Sequence, residues 1–288
     1  MTVHHDEGAV TQRAIPGPAL YFTSAMPEGA PKALVGIIHG YADHAARYAH
    51  VMDFFATKGV GSVAIDLRGH GRATGARGFV SRFDEYLDDA AELARLLSDR
   101  ARTSSGAGTE VPLFLLGHSM GGLVAALSAI EAPRAWRGLV LSAPYMGLAM
   151  AVPAPKRIAG RIASRLAPRF ALPTGLKGSD LTHDPVRARE HDEDPLVFPN
   201  ATARWFRESS KAHVRVLARA PELKMPLLEV FGTADRVAQI EAGRAFFNAA
   251  GSADKTFDER VGLFHEVLNE TEWKDVAEAI AAWVLARA

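Results

Sequence analysis

Ser119 stands in Gly117-His118-Ser119-Met120-Gly121-Gly122, a Gly-x-Ser-x-Gly pentapeptide followed by one further glycine. A serine hydroxyl is a poor nucleophile near neutral pH. It needs a histidine to take its proton and a carboxylate to orient that histidine and stabilise its cation. Beyond His213 the sequence offers a single histidine, His265, in Gly262-Leu263-Phe264-His265-Glu266-Val267. For the acid, Asp235 in Gly232-Thr233-Ala234-Asp235-Arg236-Val237 directly follows an apolar run. Asp180, Asp184, Asp192 and Asp194 fall in a proline-punctuated segment, and Asp254 and Asp258 flank or occupy the last strand pattern. Asp235 is also well placed to cap a helix N-terminus, and one carboxylate is not expected to serve both geometries freely. Chain order Ser–Asp–His, with two backbone N–H donors for an oxyanion, points to acyl transfer. The donors expected are those of Met120, after the nucleophile, and Tyr41, after His39-Gly40.

The elements must place these residues together. Leu113–Leu116 is a continuous apolar run, the pattern of a strand buried on both faces, and Leu123 onward is rich in helix formers. Strand, Gly-flanked serine and helix make the sharp turn known as the nucleophile elbow of α/β-hydrolases. Further buried strands are expected at Ala33–Ile38, Val60–Leu67, Gly138–Pro144 and Leu227–Phe231, with a last one at Lys255–Val261. Helices are expected at Arg47–Lys58, Phe83–Arg100, Ala201–Ala218 and Trp273–Leu285. Thr11–Phe22, broken by Pro16-Gly17-Pro18, suggests an edge hairpin, and 104–109 a surface loop. The alternation predicts an α/β fold with a mostly parallel central sheet flanked by helices and the active crevice at the carboxyl ends of its strands. From Tyr145 the rhythm breaks under seven prolines between Pro153 and Pro199. The expected organisation is a core over 1–144, a cap insertion over 145–205 and the rest of the core over 206–288.

Composition narrows the function classes. The 288 residues are 48% hydrophobic and 23% charged, with a formal net charge of +0, so charge gives no argument for nucleic acid as a partner. With no cysteine, disulfides, thiolate metal sites and a cysteine nucleophile are excluded. His39, His44, His70 and His118 show no metal-ligand spacing and are expected to satisfy backbone groups in tight turns; no metal or cofactor is implied. The N-terminus lacks the pattern of a signal peptide and no apolar stretch reaches bilayer length, so a soluble, cytoplasmic protein is expected.

Several segments together resemble the monoacylglycerol lipase and lysophospholipase family, serine aminopeptidase S33-like members of the α/β-hydrolase superfamily. They are His39-Gly40-Tyr41-Ala42-Asp43-His44 with Arg47-Tyr48, Asp66-Leu67-Arg68-Gly69-His70-Gly71-Arg72, the elbow, Asp194-Pro195-Leu196-Val197, Ser252-Ala253-Asp254-Lys255-Thr256 and Phe264-His265-Glu266-Val267-Leu268-Asn269-Glu270. The resemblance runs from about Thr11 to the end. It implies a serine esterase acting on single-chain acylglycerols, with an apolar cap that docks at membranes. Ala42 and Asp43 depart from the family's usual Gly and Glu, and Ala73-Thr74 stands where a Ser is common.

Within the cap, Ile158, Ile162, Leu166 and Phe170 recur every four residues, and Arg157, Arg161, Arg165 and Arg169 do so one position earlier. Such a basic amphipathic helix suits an anionic membrane surface, or packs its apolar stripe over the pocket. The function expected is cleavage of fatty-acid esters, monoacylglycerols first, through an acyl-enzyme on Ser119. Lysophospholipase and broader carboxylesterase activity are the alternatives within the class, and a non-catalytic binding module is the alternative outside it. Oligomeric state is not expressed in the sequence.

Overall fold

The computed structural model describes residues 2–10, 17–104, 110–147 and 162–288. An eight-stranded sheet runs through the molecule in the order β1-β2-β4-β3-β5-β6-β9-β10. The strands are β1 (Val3–Val10), β2 (Leu20–Pro27), β3 (Ala33–Ile38), β4 (Val60–Asp66), β5 (Leu113–His118), β6 (Gly138–Ser142), β9 (Leu227–Gly232) and β10 (Lys255–Arg260). β2 pairs antiparallel with β1 and β4, and the other neighbours are parallel. The parallel strands β3, β4, β6 and β9 are buried along their whole length, because helices cover both faces.

On one face α1 (Ala49–Thr57) and α9 (Trp273–Leu285) enclose a core with Val35, Ile37, Phe114 and Leu116. On the other, α2 (Asp84–Ser104), α3 (Met120–Glu131), α7 (Ala203–Arg219) and α8 (Ile240–Ala249) pack over Leu34, Ile38, Leu115 and Leu139. Successive side chains of β3 and β5 thus feed opposite cores, as strand pleating requires.

The edge hairpin differs from the expectation. Its arms are Val3–Val10 and Leu20–Pro27, in register Val3 to Pro27 and Val10 to Leu20; of the hairpin expected over Thr11–Phe22, residues 11–16 lie outside the described residues, as do 105–109 of the expected loop. The polar run His4-His5-Asp6-Glu7 hides β1 in the sequence. An edge strand facing solvent needs no apolar alternation and is blunted by charge.

Between β6 and β9 the main sheet receives no strand among the described residues. This stretch holds α4, described over 162–166, a short hairpin β7 (Ala171–Pro173) and β8 (Asn200–Thr202), a single turn α5 (Gly178–Leu181) and α6 (Pro185–Glu193). Helix α4 stops before Pro168, which disfavours helical backbone in the residue preceding it, so Phe170 lies beyond the helix. Ile158, Arg157 and Arg161 lie outside the described residues. Ile162, Leu166 and Phe170 are exposed at 55%, 82% and 54%. They face solvent, and the packed-over-pocket arrangement does not hold for them. No helix among the described residues is long and apolar enough to cross a membrane.

One buried group works against the fold. Glu229, in mid β9, is fully buried, and neither carboxylate oxygen has a hydrogen-bond partner among the described residues. Burial raises its pKa well above the ordinary 4.5, only partly offset by Arg244. The stability this site permits is therefore intact below the ordinary carboxylate pKa and is lost as pH rises toward the raised folded value. Glu229→Leu is expected to stabilise the protein by about 1–3 kcal/mol, the cost of an unpaired buried polar group. The gain should widen as the pH of urea melts is raised from 5 upward.

Candidate active site

The elbow forms at the end of β5. Ser119 sits at φ +51°, ψ −120°, immediately before the first turn of α3. Left-handed φ strains a residue carrying a Cβ by about 1–3 kcal/mol, and packing holds it there. A Cβ on Gly117 would lie 2.3 Å from the Gly121 carbonyl oxygen, and one on Gly121 would lie 2.2 Å from that of Ile38. Only glycines let α3 seat this closely against β3 and β5. The Ser119 N–H donates to Ser142 O at 3.0 Å, and its carbonyl accepts from Tyr145 N at 2.9 Å, so β6 also clamps the turn.

His265 lies in the loop after β10 and faces the elbow. Its Nε2 is 2.8 Å from Ser119 Oγ, and its Nδ1 is 2.7 Å from Asp235 Oδ2. Asp235 follows β9, and its side chain is almost wholly buried. The expected conflict between capping and pairing is resolved by dividing the carboxylate. Oδ2 takes the imidazole N–H, while Oδ1 accepts from Val237 N at 2.7 Å and Ala238 N at 3.0 Å. The capped element is a turn, since α8 starts only at Ile240. Burial disfavours the imidazolium, but the Asp235 charge and its hydrogen bond outweigh this and raise the His265 pKa above the ordinary 6.5.

Across the elbow lies the turn after β3. Among the described residues, neither the Tyr41 nor the Met120 N–H has an acceptor. Met120 opens α3, where helical N–H groups are unpaired by construction. The turn is pinned from behind. Leu67 N donates to His39 Nε2 at 3.0 Å, which leaves the His39 Nδ1–H to donate to Gly40 O at 2.7 Å. His70 Nδ1 meets Arg68 O and His118 Nδ1 meets Ser142 O. These three histidines do contact backbone, and burial pulls all three pKa values down, to about 3 for His70 and about 4 for His118. His44 instead pairs with Asp194 at 2.8 Å, tying the segment after α6 to this turn. Ala42 stands at φ +62°, which accounts for the glycine usual at its place.

Three groups of contacts, around Arg47, Glu270 and Trp205, were not anticipated from the sequence. Arg47 forms a two-pronged pair with Glu266, Nη1 to Oε1 at 2.8 Å and Nη2 to Oε2 at 2.7 Å, and also bonds Asp43 at 3.0 Å. Tyr48 donates to the other Asp43 oxygen at 3.0 Å. Burial would raise both carboxyls, but Arg47 holds Asp43 and Glu266 below their ordinary values. The fully buried Glu270 accepts from Phe264 N at 2.7 Å and His183 N at 2.8 Å, and Glu266 N donates to Leu181 O at 2.8 Å. His265 is thus bracketed by bonds to residues 181–183. Trp205 packs against both Tyr41 and Met120. A run of Glu and Asn after His265 and a tryptophan behind a Thr cap were the available signals. The group opens on a cavity of about 530 Å³ with Tyr145, Trp205, Phe206, Val197 and Leu176 among its walls.

A hydrogen-bonded Ser–His–Asp array beside two free N–H donors is equipped for acyl transfer. Comparison with known proteins agrees. The family model described as serine aminopeptidase, S33, matches residues 29–272. The chain belongs to the serine aminopeptidase S33 family. Within it, the chain is 32% identical over 256 residues to Phospholipase YtpA of Bacillus subtilis, covering 88% of this chain and 95% of that one. It is 30% identical to the monoacylglycerol lipase of Mycolicibacterium smegmatis, over 90% of each chain. The crystal structure of Paleococcus ferrophilus monoacylglycerol lipase superposes with a TM-score of 0.80 at 26% identity, covering both chains fully.

Were His265 to act as the base, activity would require its neutral imidazole. The acid limb of kcat/KM against pH is therefore expected above the ordinary 6.5, because Asp235 raises the His265 pKa. Asp235→Asn removes the attracting charge, so the limb should move down, while kcat falls by about 10⁴-fold as the wrong tautomer is favoured.

Proposed function

We propose that the chain is a serine esterase that hydrolyses fatty-acid esters of glycerol, monoacylglycerols first, through an acyl-enzyme on Ser119. The observation that carries this reading is the array His265 Nε2 to Ser119 Oγ at 2.8 Å and His265 Nδ1 to Asp235 Oδ2 at 2.7 Å, opening on an apolar cavity. A relative named monoacylglycerol lipase supports an ester of a single acyl chain as the substrate class, and one named phospholipase supports a lipid ester.

Ser119 Oγ attacks the ester carbonyl carbon while its proton passes to His265 Nε2. Charge builds on the carbonyl oxygen, and the Tyr41 and Met120 N–H groups stabilise it. His265 then gives the proton to the leaving alcohol oxygen as the C–O bond breaks. A water loses a proton to His265 and attacks the acyl-enzyme; Ser119 recovers that proton and the fatty acid departs. Asp235 keeps the His265 Nδ1–H pointed inward and stabilises its cation.

Residues 145–205 act as the cap. Ile162, Leu166, Phe170 and Leu172 are each more than half exposed, and with Arg165 nearby they suit an anionic lipid surface. Lysophospholipids are the second reading. Arg236, exposed at the cavity wall with its guanidinium 4.4 Å from the Phe264 ring centre, has no carboxylate partner among the described residues, so an anionic headgroup would find a cation there.

Fatty-acid release should be followed from monoacylglycerols of graded chain length and from a lysophospholipid. Turnover of the first set that falls by about 10⁴-fold or more in Ser119→Ala is the expected result. Turnover confined to the lysolipid moves the substrate to the second reading, and undiminished turnover in Ser119→Ala removes the mechanism. Leu166→Asp is expected to weaken partitioning onto anionic vesicles, read by sedimentation, by about tenfold or more, the transfer cost of one leucine. Hydrolysis of a water-soluble short-chain ester should stay unchanged.

A further inference from the structure

The two N–H groups proposed to hold the oxyanion belong to residues far apart in the chain, Tyr41 after β3 and Met120 at the head of α3. One side chain touches both. The Trp205 indole stacks on the Tyr41 ring, centroids 3.7 Å apart and planes at 28°, and its Nε1–H donates to Met120 Sδ at 3.1 Å. Tyr145 lies parallel to the indole at 6.1 Å. The backbone of Trp205 is itself fixed. Its N–H donates to Thr202 Oγ1 at 3.3 Å, the cap of α7, and the Thr202 hydroxyl donates to Gly78 O at 2.8 Å. Gly78 O also accepts from the Tyr41 hydroxyl at 3.0 Å.

Tyr41 needs such a tether, because its neighbours provide little restraint through side chains. Gly40 has none, and Ala42 sits in the left-handed region. Between the bonds of His39 on one side and of Asp43 and His44 on the other, the Tyr41 ring and hydroxyl tie the middle of the turn to the rest of the molecule. Met120 is fixed by α3, and the Trp205 Nε1–H to Sδ contact sets the indole relative to that helix.

Building on the serine esterase reading, we propose that Trp205 is a positioning residue that sets the spacing of the Tyr41 and Met120 N–H groups. The helix returning from the cap thereby governs oxyanion stabilisation. The indole also lines the cavity, so a plain wall role is the competing explanation, and the test separates the two. Oxyanion donors act on kcat, whereas a wall acts on KM and on chain-length preference.

Trp205→Phe keeps an aromatic ring and removes the Nε1–H; Met120→Leu keeps the backbone N–H and removes the sulfur. Each variant and the double variant are assayed on glycerol esters of acetate and of a long-chain acid, across pH. Trp205→Phe is expected to lower kcat about tenfold or more on both esters, short of the 10²–10³ lost with a whole donor, with KM within about twofold. The acid limb of the pH profile should not move, and Met120→Leu should cost less in the Trp205→Phe background than alone. If Trp205→Phe fails to fold, the same kcat-only loss in Met120→Leu carries the test. An unchanged kcat, a loss confined to KM or to the long ester, additive losses, or a shifted acid limb would each overturn the proposal. Ser119→Ala in the same assay keeps the two ideas apart: turnover surviving there sinks the serine mechanism itself, independently of Trp205.

Discussion

The close seating of α3 against β3 and β5 is the constraint on which the rest of the site depends. With Gly117 and Gly121 lacking side chains, helix and sheet approach to backbone contact, and the chain between them has no room for relaxed dihedral angles. Ser119 takes the strained turn, which lifts its hydroxyl off the sheet and aims the unpaired N–H groups of α3 at the same space. The other participants then need only arrive at strand ends. Tyr41 follows β3, Asp235 follows β9 and His265 follows β10, so a parallel sheet delivers all of them to one rim.

Arrival at a rim does not fix orientation, and buried charge supplies that. Arg47, in the short turn before α1, is bonded in two-pronged fashion to Glu266, the neighbour of His265, and also to Asp43 in the turn that carries Tyr41. One guanidinium therefore links the loop of His265 to the turn of Tyr41. A buried pair of this kind adds little net stability over an apolar filling, because desolvation offsets attraction. Its worth lies in geometry, since a planar fork accepts one arrangement of two carboxylates. Glu270 does the same from the other side, joining Phe264 to Thr182 and His183 through one buried carboxylate.

What the sequence expressed and what it hid follow from physical range. Largely apolar runs marked β3, β4, β5, β6 and β9, interrupted only by Ser62 and Glu229 within β4 and β9 and by polar residues at the strand ends, because strands covered on both faces have no polar side to confuse the pattern. Ser119, Asp235 and His265 were legible because each follows a strand pattern directly, and because chain order and the single histidine beyond His213 left few alternatives. β1 was missed, since an exposed edge strand carries no apolar alternation. The pairing of Arg47 with Glu266 joins residues 219 positions apart, and no local pattern encodes such a distance. The division of the Asp235 carboxylate between a turn and His265 was likewise invisible, because it depends on where each oxygen points.

Ala42 carries a consequence of its own. At φ +62° a methyl group is tolerated at some energetic strain where glycine would have none. Glycine, however, would also admit many other backbone states, and alanine removes most of them from the unfolded and partly opened ensembles. The chain has thus exchanged local comfort for a stiffer turn. The entropy of ordering the backbone beside Tyr41 is met largely when the protein folds.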